Sequence, residues 1–226
     1  MSGFIELVKL KMNYPLQHGY FAAINDISLE IKKGSLTSIT GRSGSGKSTL
    51  LKMLGGILKP TSGKVLIDGE DIYSFSDKKL ISFRRRIGFV FQDYLLEDRY
   101  TVYQNIEIAL MLSDYPVKSR KQKISSLLEE VGLSGKAKDV VMHLSGGEKQ
   151  RVGVARSLAN DPEIILADEP CGNLDHENGR MIMKLLKRQK GKGKTVLLVT
   201  HNQEDAKETD RIITLEDGRV LTDEVQ

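Results

Sequence analysis

The chain holds a single cysteine, Cys171, among its 226 residues. That excludes a disulfide framework and suits a reducing compartment. Cys171 has no His and Asn partners in a nucleophile's pattern, so it reads as unreactive. No apolar run approaches the ~18 residues needed to cross a bilayer. The N-terminus, Met-Ser-Gly-Phe-Ile-Glu-Leu, lacks a basic region followed by an apolar one. No signal peptide is expected, and the chain is expected to stay in the cytoplasm, soluble or peripheral to a membrane. An excess of one charge is missing too. The net charge of +4 comes from 34 basic and 30 acidic residues, mostly interspersed, which argues against a nucleic-acid partner. The one short cluster, Arg84-Arg85-Arg86, reads as a solvated helix end rather than a partner surface. There is no internal repeat and no low-complexity segment. What remains is an ordinary globular composition, long enough to bury a core unaided.

The most informative stretch is Gly41-Arg42-Ser43-Gly44-Ser45-Gly46-Lys47-Ser48. It fits the phosphate-loop pattern G-x-x-x-x-G-K-[ST] at every fixed position. Glycines let the backbone wrap a phosphate chain so that successive N–H groups point inward. Lys47 brings a mobile positive charge to the β- and γ-phosphates, and Ser48 offers a hydroxyl to Mg²⁺. Residues 35–40 before it read as a strand, and residues 49–54 after it as a helix whose positive end faces the phosphates.

Alternation of apolar and polar residues predicts a half-buried strand over 4–12, ended by Tyr14-Pro15. Further strands are expected at 24–31 and at 65–69, the latter closing in an Asp-Gly turn. Together they predict a small antiparallel sheet beside the nucleotide core. A helix over 77–86 and a buried strand over 87–91 follow. From about 101 to 159 the pattern is helical throughout, with helices over 102–112, 119–131 and 147–159, and is read as a helical insertion. Strands at 163–167, 195–200 and 211–215 then alternate with helices at 176–190 and 203–209. That alternation predicts an α/β core with a parallel sheet.

The strand before Asp168-Glu169 delivers two carboxylates at its C-terminal end. In a chain with a phosphate loop, that placement brings Asp168 to Mg²⁺ and lets Glu169 polarise an attacking water as general base. Ser145-Gly146-Gly147 opens a helix and forms a second turn suited to an anion. Tyr94-Leu95-Leu96 is too apolar for an exposed loop. It lines either a groove for a partner's helix or the interior of the helical segment. His18, His143 and His176 have no such context and read as surface residues.

These motifs together resemble the nucleotide-binding subunit of ABC transporters, over essentially all 226 residues. Gly41–Ser48 matches Walker A. Gln92 matches the Q-loop glutamine, and Leu144-Ser-Gly-Gly-Glu148 the signature sequence. Ile164–Asp168 with Glu169 matches Walker B and its catalytic glutamate. Asn173-Leu174-Asp175 matches the D-loop, and His201 the switch histidine. The resemblance implies a RecA-like P-loop NTPase core (residues 1–96 and 160–226) with an N-terminal antiparallel β subdomain. The helical subdomain is expected at 97–159. It implies ATP held by Gly41, Arg42, Ser43, Gly44, Ser45, Gly46, Lys47, Ser48 and Thr49, with Tyr14 stacked on adenine. Tyr20 and Phe21 are alternatives for that stacking. It implies Mg²⁺ held by Ser48, Gln92 and Asp168, and catalysis by Glu169, His201, Gln92 and Lys47. It implies a head-to-tail homodimer, with Ser145, Gly146, Gly147 and Asp175 reaching the partner's ATP, and an integral membrane permease as second partner. The expected location is peripheral, on the inner face of the cell membrane.

Ala167-Asp-Glu-Pro-Cys-Gly-Asn-Leu-Asp175 is similar to the subgroup of MacB, LolD, FtsE and the bacterial antimicrobial-peptide transporters. Cys171 departs from it, standing where threonine is usual, and activity is expected to survive the change. The subgroup implies an ATPase serving a peptide, bacteriocin or lipid-linked exporter. An FtsE-like regulator that moves no substrate is the alternative. A soluble ATPase of the repair or translation type is the third, weakened by the short spacing between motifs and by the presence of one cassette.

Overall fold

The computed structural model describes residues 3–226, and their fold follows from where apolar residues alternate and where they do not. β1 (Ile5–Pro15) and β2 (Tyr20–Ile31) form a long hairpin. β3 (Leu36–Thr40) runs into the phosphate loop and α1 (Lys47–Leu54). β4 (Ser62–Ile67) and the two-residue β5 (Glu70–Asp71) complete a four-stranded antiparallel sheet in the order β2-β1-β4-β5. This is the small sheet expected from the sequence. β1 reaches Pro15, beyond the predicted end, because the hairpin closes by Leu16 N donating to Gly19 O.

α2 (Asp77–Arg84) and β6 (Ile87–Val90) lead to the helical stretch: α3 (Val102–Leu112), α4 (Val117–Glu130) and α5 (Gly146–Ser157). The stretch is less uniformly helical than the pattern predicts. Residues 131–145 hold one 3₁₀ turn, and Thr101 forms an isolated bridge with Val140. β7 (Ile164–Asp168), α6 (His176–Gly191), β8 (Thr195–Val199), α7 (Gln203–Lys207), β9 (Arg211–Glu216) and β10 (Arg219–Val225) follow.

The second sheet has the order β10-β9-β3-β8-β7-β6, parallel apart from β10. β8 and β7 are apolar on both faces, as parallel strands covered on both sides are. In β8, Val196 and Leu198 join the core under α3–α6, while Leu197 and Val199 join the core under α1 and the antiparallel sheet. The same alternation runs through Ile164, Ile165, Leu166 and Ala167 of β7. Val152, Val154 and Ala155 of α5 belong to the core that also holds Val90 and Ile165. The signature helix is therefore packed directly on the sheet.

β10 is absent from the sequence reading. It is an edge strand with mostly exposed side chains, so it has little apolar alternation to show. Its signal is the Asp217-Gly218 pair before it, both left-handed (φ 48° and 72°), as a tight hairpin turn requires. The arginine cluster stands at the end of α2 and stays partly exposed. Arg84 donates to Gly56 O, Arg85 to Leu112 O and Asp114, and Arg86 to Glu163 and Asp68. The three side chains also brace neighbouring elements.

Candidate functional site

Four loops leave the C-terminal ends of adjacent parallel strands at one level. Val199 of β8 pairs with both Ile39 of β3 and Asp168 of β7, and Ala167 of β7 pairs with Val90 of β6. The phosphate loop, Gln92, Glu169 and His201 follow those four strands. This is where an open parallel sheet binds ligands. They line a cleft of about 600 Å³ with Tyr14, Phe21, Ala23 and Thr49.

The loop's shape needs its glycines. Gly46 has φ 100°, and a Cβ there would lie 2.3 Å from Ala23 O. Gly41 has φ 139°, and its Cβ would lie 2.2 Å from Leu215 O. α1 starts after Gly46 without any side-chain cap, leaving its first amides to an anion. Lys47 is buried and folds back over the loop, where Nζ donates to Gly41 O and Arg42 O at 2.8 and 2.9 Å. Its charge is thus already centred on the loop.

Ser48 Oγ donates to Asp168 Oδ1 at 2.9 Å. Burial pushes the Asp168 carboxyl above its ordinary range, Ser48's hydrogen bond opposes that, and the neighbouring Glu169 charge adds to it. A hard cation would relieve both burial and repulsion, and a hydroxyl beside a carboxylate is the oxygen donor set such a cation takes. Among the described residues no cluster of three His, Cys, Asp or Glu side chains offers an alternative. The donors Ser48 and Asp168 therefore fit Mg²⁺.

Glu169 is held in an uncommon conformation, φ 47°, with its N–H on Val199 O at 2.9 Å. Its Oε2 lies 2.8 Å from His201 Nδ1. An ionised carboxylate only accepts, so Nδ1 carries the proton and Nε2 is left facing away from Glu169. His201 is exposed while the Glu169 side chain is largely covered. The arrangement holds a carboxylate at the cleft and orients an imidazole next to it.

Tyr14 and Phe21 face each other across the β1–β2 ladder, and both line the cleft. Tyr20 is outside it and strongly exposed. Ser145, Gly146, Gly147 and Asp175 do not line it either. Ser145 caps α5 by accepting from Glu148 N, and the Glu148 carboxylate accepts from Ser145 N and Oγ. Those bonds and Lys136 hold Glu148 below the usual carboxylate range. Asp175 caps α6 and lines a neighbouring pocket of about 220 Å³.

The sequence reading missed Asn178. Its Oδ1 sits 2.1 Å from where a Cβ of Gly147 would stand, which explains the glycine. Asn178 is fixed by Arg151 at 3.0 Å and by Asp175 at 2.8 Å, so the D-loop and signature turn of one chain are joined. Cys171 is half-buried, donates to Gly179 O, and burial drives its thiol far above the ordinary range. Those surroundings disfavour its thiolate form. Tyr94, Leu95 and Leu96 separate: Leu96 packs into the core, Tyr94 is half-buried with its hydroxyl beside Gly146, and Leu95 is 58% exposed.

The ABC transporter family profile matches residues 24–172. An uncharacterized ABC transporter ATP-binding protein of Thermotoga maritima is 44% identical over 97% of this chain and 94% of its own. The methionine import ATP-binding protein MetN of Carboxydothermus hydrogenoformans is 40% identical over 98% of this chain and 66% of its own. The macrolide export ATP-binding/permease protein MacB of Vibrio parahaemolyticus is 43% identical over 88% of this chain, a match that spans 31% of MacB. A solved dimer of the ATP-binding cassette MJ0796, in a post-hydrolysis state bound to ADP and Pi, has a TM-score of 0.90 over 98% of both chains, with 38% identity.

Proposed function

The chain belongs to the ABC transporter family as an ATP-binding subunit, and from that premise we propose that it powers a membrane partner exporting or releasing a peptide, bacteriocin, lipoprotein or similar amphiphile. The coarser activity is plain: it is an ATPase of an ABC system, using Mg²⁺, acting as a dimer and pairing with a membrane permease. The observation that carries the site is the convergence of Lys47, Ser48, Gln92, Glu169 and His201 on one cleft.

In this reading Gly41–Thr49 cradle the phosphates, and Tyr14 with Phe21 stacks the base. Ser48, Asp168 and Gln92 would hold Mg²⁺, which when bound would supply positive charge against the phosphates. Glu169 takes a proton from the attacking water, and His201 orients that water against the γ-phosphate. Ser145–Gly147 and Asp175 complete the partner's site. None of these four lines the cleft of its own chain, which supports this reading. Residues 97–159 form the helical unit facing the permease, whose cytoplasmic segment meets exposed apolar side chains such as Leu95 and Leu112. The location is the inner face of the membrane, by way of that partner.

Export rests on Gly172-Asn-Leu-Asp175 and the MacB match. The MetN match is an importer by its printed name, so direction is tested directly. The Glu169→Gln chain is purified from its own membranes in mild detergent with ATP and Mg²⁺ to identify the co-purifying permease, which is then reconstituted with the wild-type chain. ATP-driven loss of peptide or lipid-linked cargo from the cytoplasmic side supports export. Inward movement, ATP turnover without any transport, or recovery of only soluble dimer overturns it.

A further inference from the structure

Gln150 sits one turn into α5, just past the signature turn, and is fully buried. Its Nε2 donates to Phe91 O at 3.3 Å and to Pro170 O at 2.7 Å. Phe91 immediately precedes Gln92, and Pro170 immediately follows Glu169. One amide thus ties the signature helix to both loops that carry the reacting chemistry. Its Oε1 is buried with no partner. A buried acceptor left unpaired is destabilising, so this side chain is poorly explained by stability alone.

The same helix holds the Gln92 loop a second time. Arg156 donates to Tyr94 O at 2.9 Å and to Leu95 O at 2.5 Å. Tyr94 and Leu95 have φ 60° and 48°, two successive bulky residues in a left-handed conformation. Such a pair persists only where its surroundings enforce it. A guanidinium that donates to both carbonyls from its fork is that enforcement.

We propose that Gln150 is a positioning residue for hydrolysis: it fixes the spacing of the Gln92 and Glu169 loops from the signature helix, with Arg156 holding the far side of the first loop. Occupation of Ser145–Gly147 by the opposing nucleotide is then felt at both loops through one rigid helix. The inference rests on the roles of Gln92, Glu169 and Ser145–Gly147 given above.

Gln150→Met keeps length and removes both donors. Neither its backbone nor its side chain touches the cleft, so nucleotide affinity, followed with a fluorescent ATP analogue, should stay within about threefold of wild type. KM should do the same, while kcat falls by about tenfold or more, the scale of a small misplacement of reacting groups. Arg156→Lys keeps the charge but gives up the fork, and should show the same split more weakly. A kcat within about twofold of wild type in Gln150→Met overturns the proposal. So does a parallel loss of affinity, kcat and melting temperature, which is a structural defect. If Gln150→Met does not fold, Arg156→Lys decides: selective loss of kcat supports the proposal, and an unchanged kcat overturns it. Glu169→Gln run alongside separates the two readings, because brisk turnover there would instead remove the site assignment.

Discussion

Asp168 and Glu169 are adjacent carboxylates with different surroundings. Asp168 ends a strand and turns to Ser48, while Glu169 steps into a left-handed conformation and reaches His201. Asp168's raised pKa means that its carboxylate is disfavoured in the folded chain. That cost is absent below the unfolded value, grows as pH rises toward the folded value, and is full above it. Asp168→Asn should therefore raise the melting temperature of the nucleotide-free chain at pH 7.5, read by calorimetry, while Mg²⁺-dependent turnover is lost. A lowered melting temperature would contradict the cost assigned to this carboxylate. Such a trade between stability and activity is expected where a site keeps a charge for its ligand.

Among the elements, the loop after β6 joins core to surface within three residues. Leu95→Asp adds a charge to an exposed side chain. It should leave melting and ATP binding near wild type while abolishing co-purification of the permease. Leu96→Asp places a charge in a packed core and should cost about 2–4 kcal/mol, losing ATP binding as well. Equal effects of the two changes would contradict this division. The sequence alone left these residues undivided, because three consecutive apolar side chains in a loop carry no period. β7 and β8 were legible because they are apolar on both faces, and β3 and α1 because a phosphate-loop motif lies between them. β10 was not, since its edge position leaves it almost no core to pattern against. Walker A, Asp168, Glu169 and His201 were legible from motifs. Gln150, Arg156 and Asn178 were not, because each acts on backbone or on a glycine far away in the chain, and nothing local marks it.

For the whole molecule, the two half-sites proposed for one chain predict that activity belongs to the dimer. Ser145→Arg puts a bulky cation at the capped start of α5, away from the chain's own cleft. The monomer should bind ATP within about threefold of wild type, while turnover falls by about a hundredfold or more with loss of the ATP-dependent dimer. Loss of ATP binding by the monomer would place Ser145 in the cis site and contradict the two-half-site reading. Glu169 is proposed to draw the proton from water in a site closed by two chains. Turnover and molecular mass of Glu169→Gln, measured side by side with ATP and Mg²⁺, test that role. A stable dimer retaining uncleaved ATP is expected, with turnover reduced by about 10²–10⁴-fold, the usual worth of a general base. Turnover near wild type, or a chain that stays monomeric with ATP bound, would contradict it.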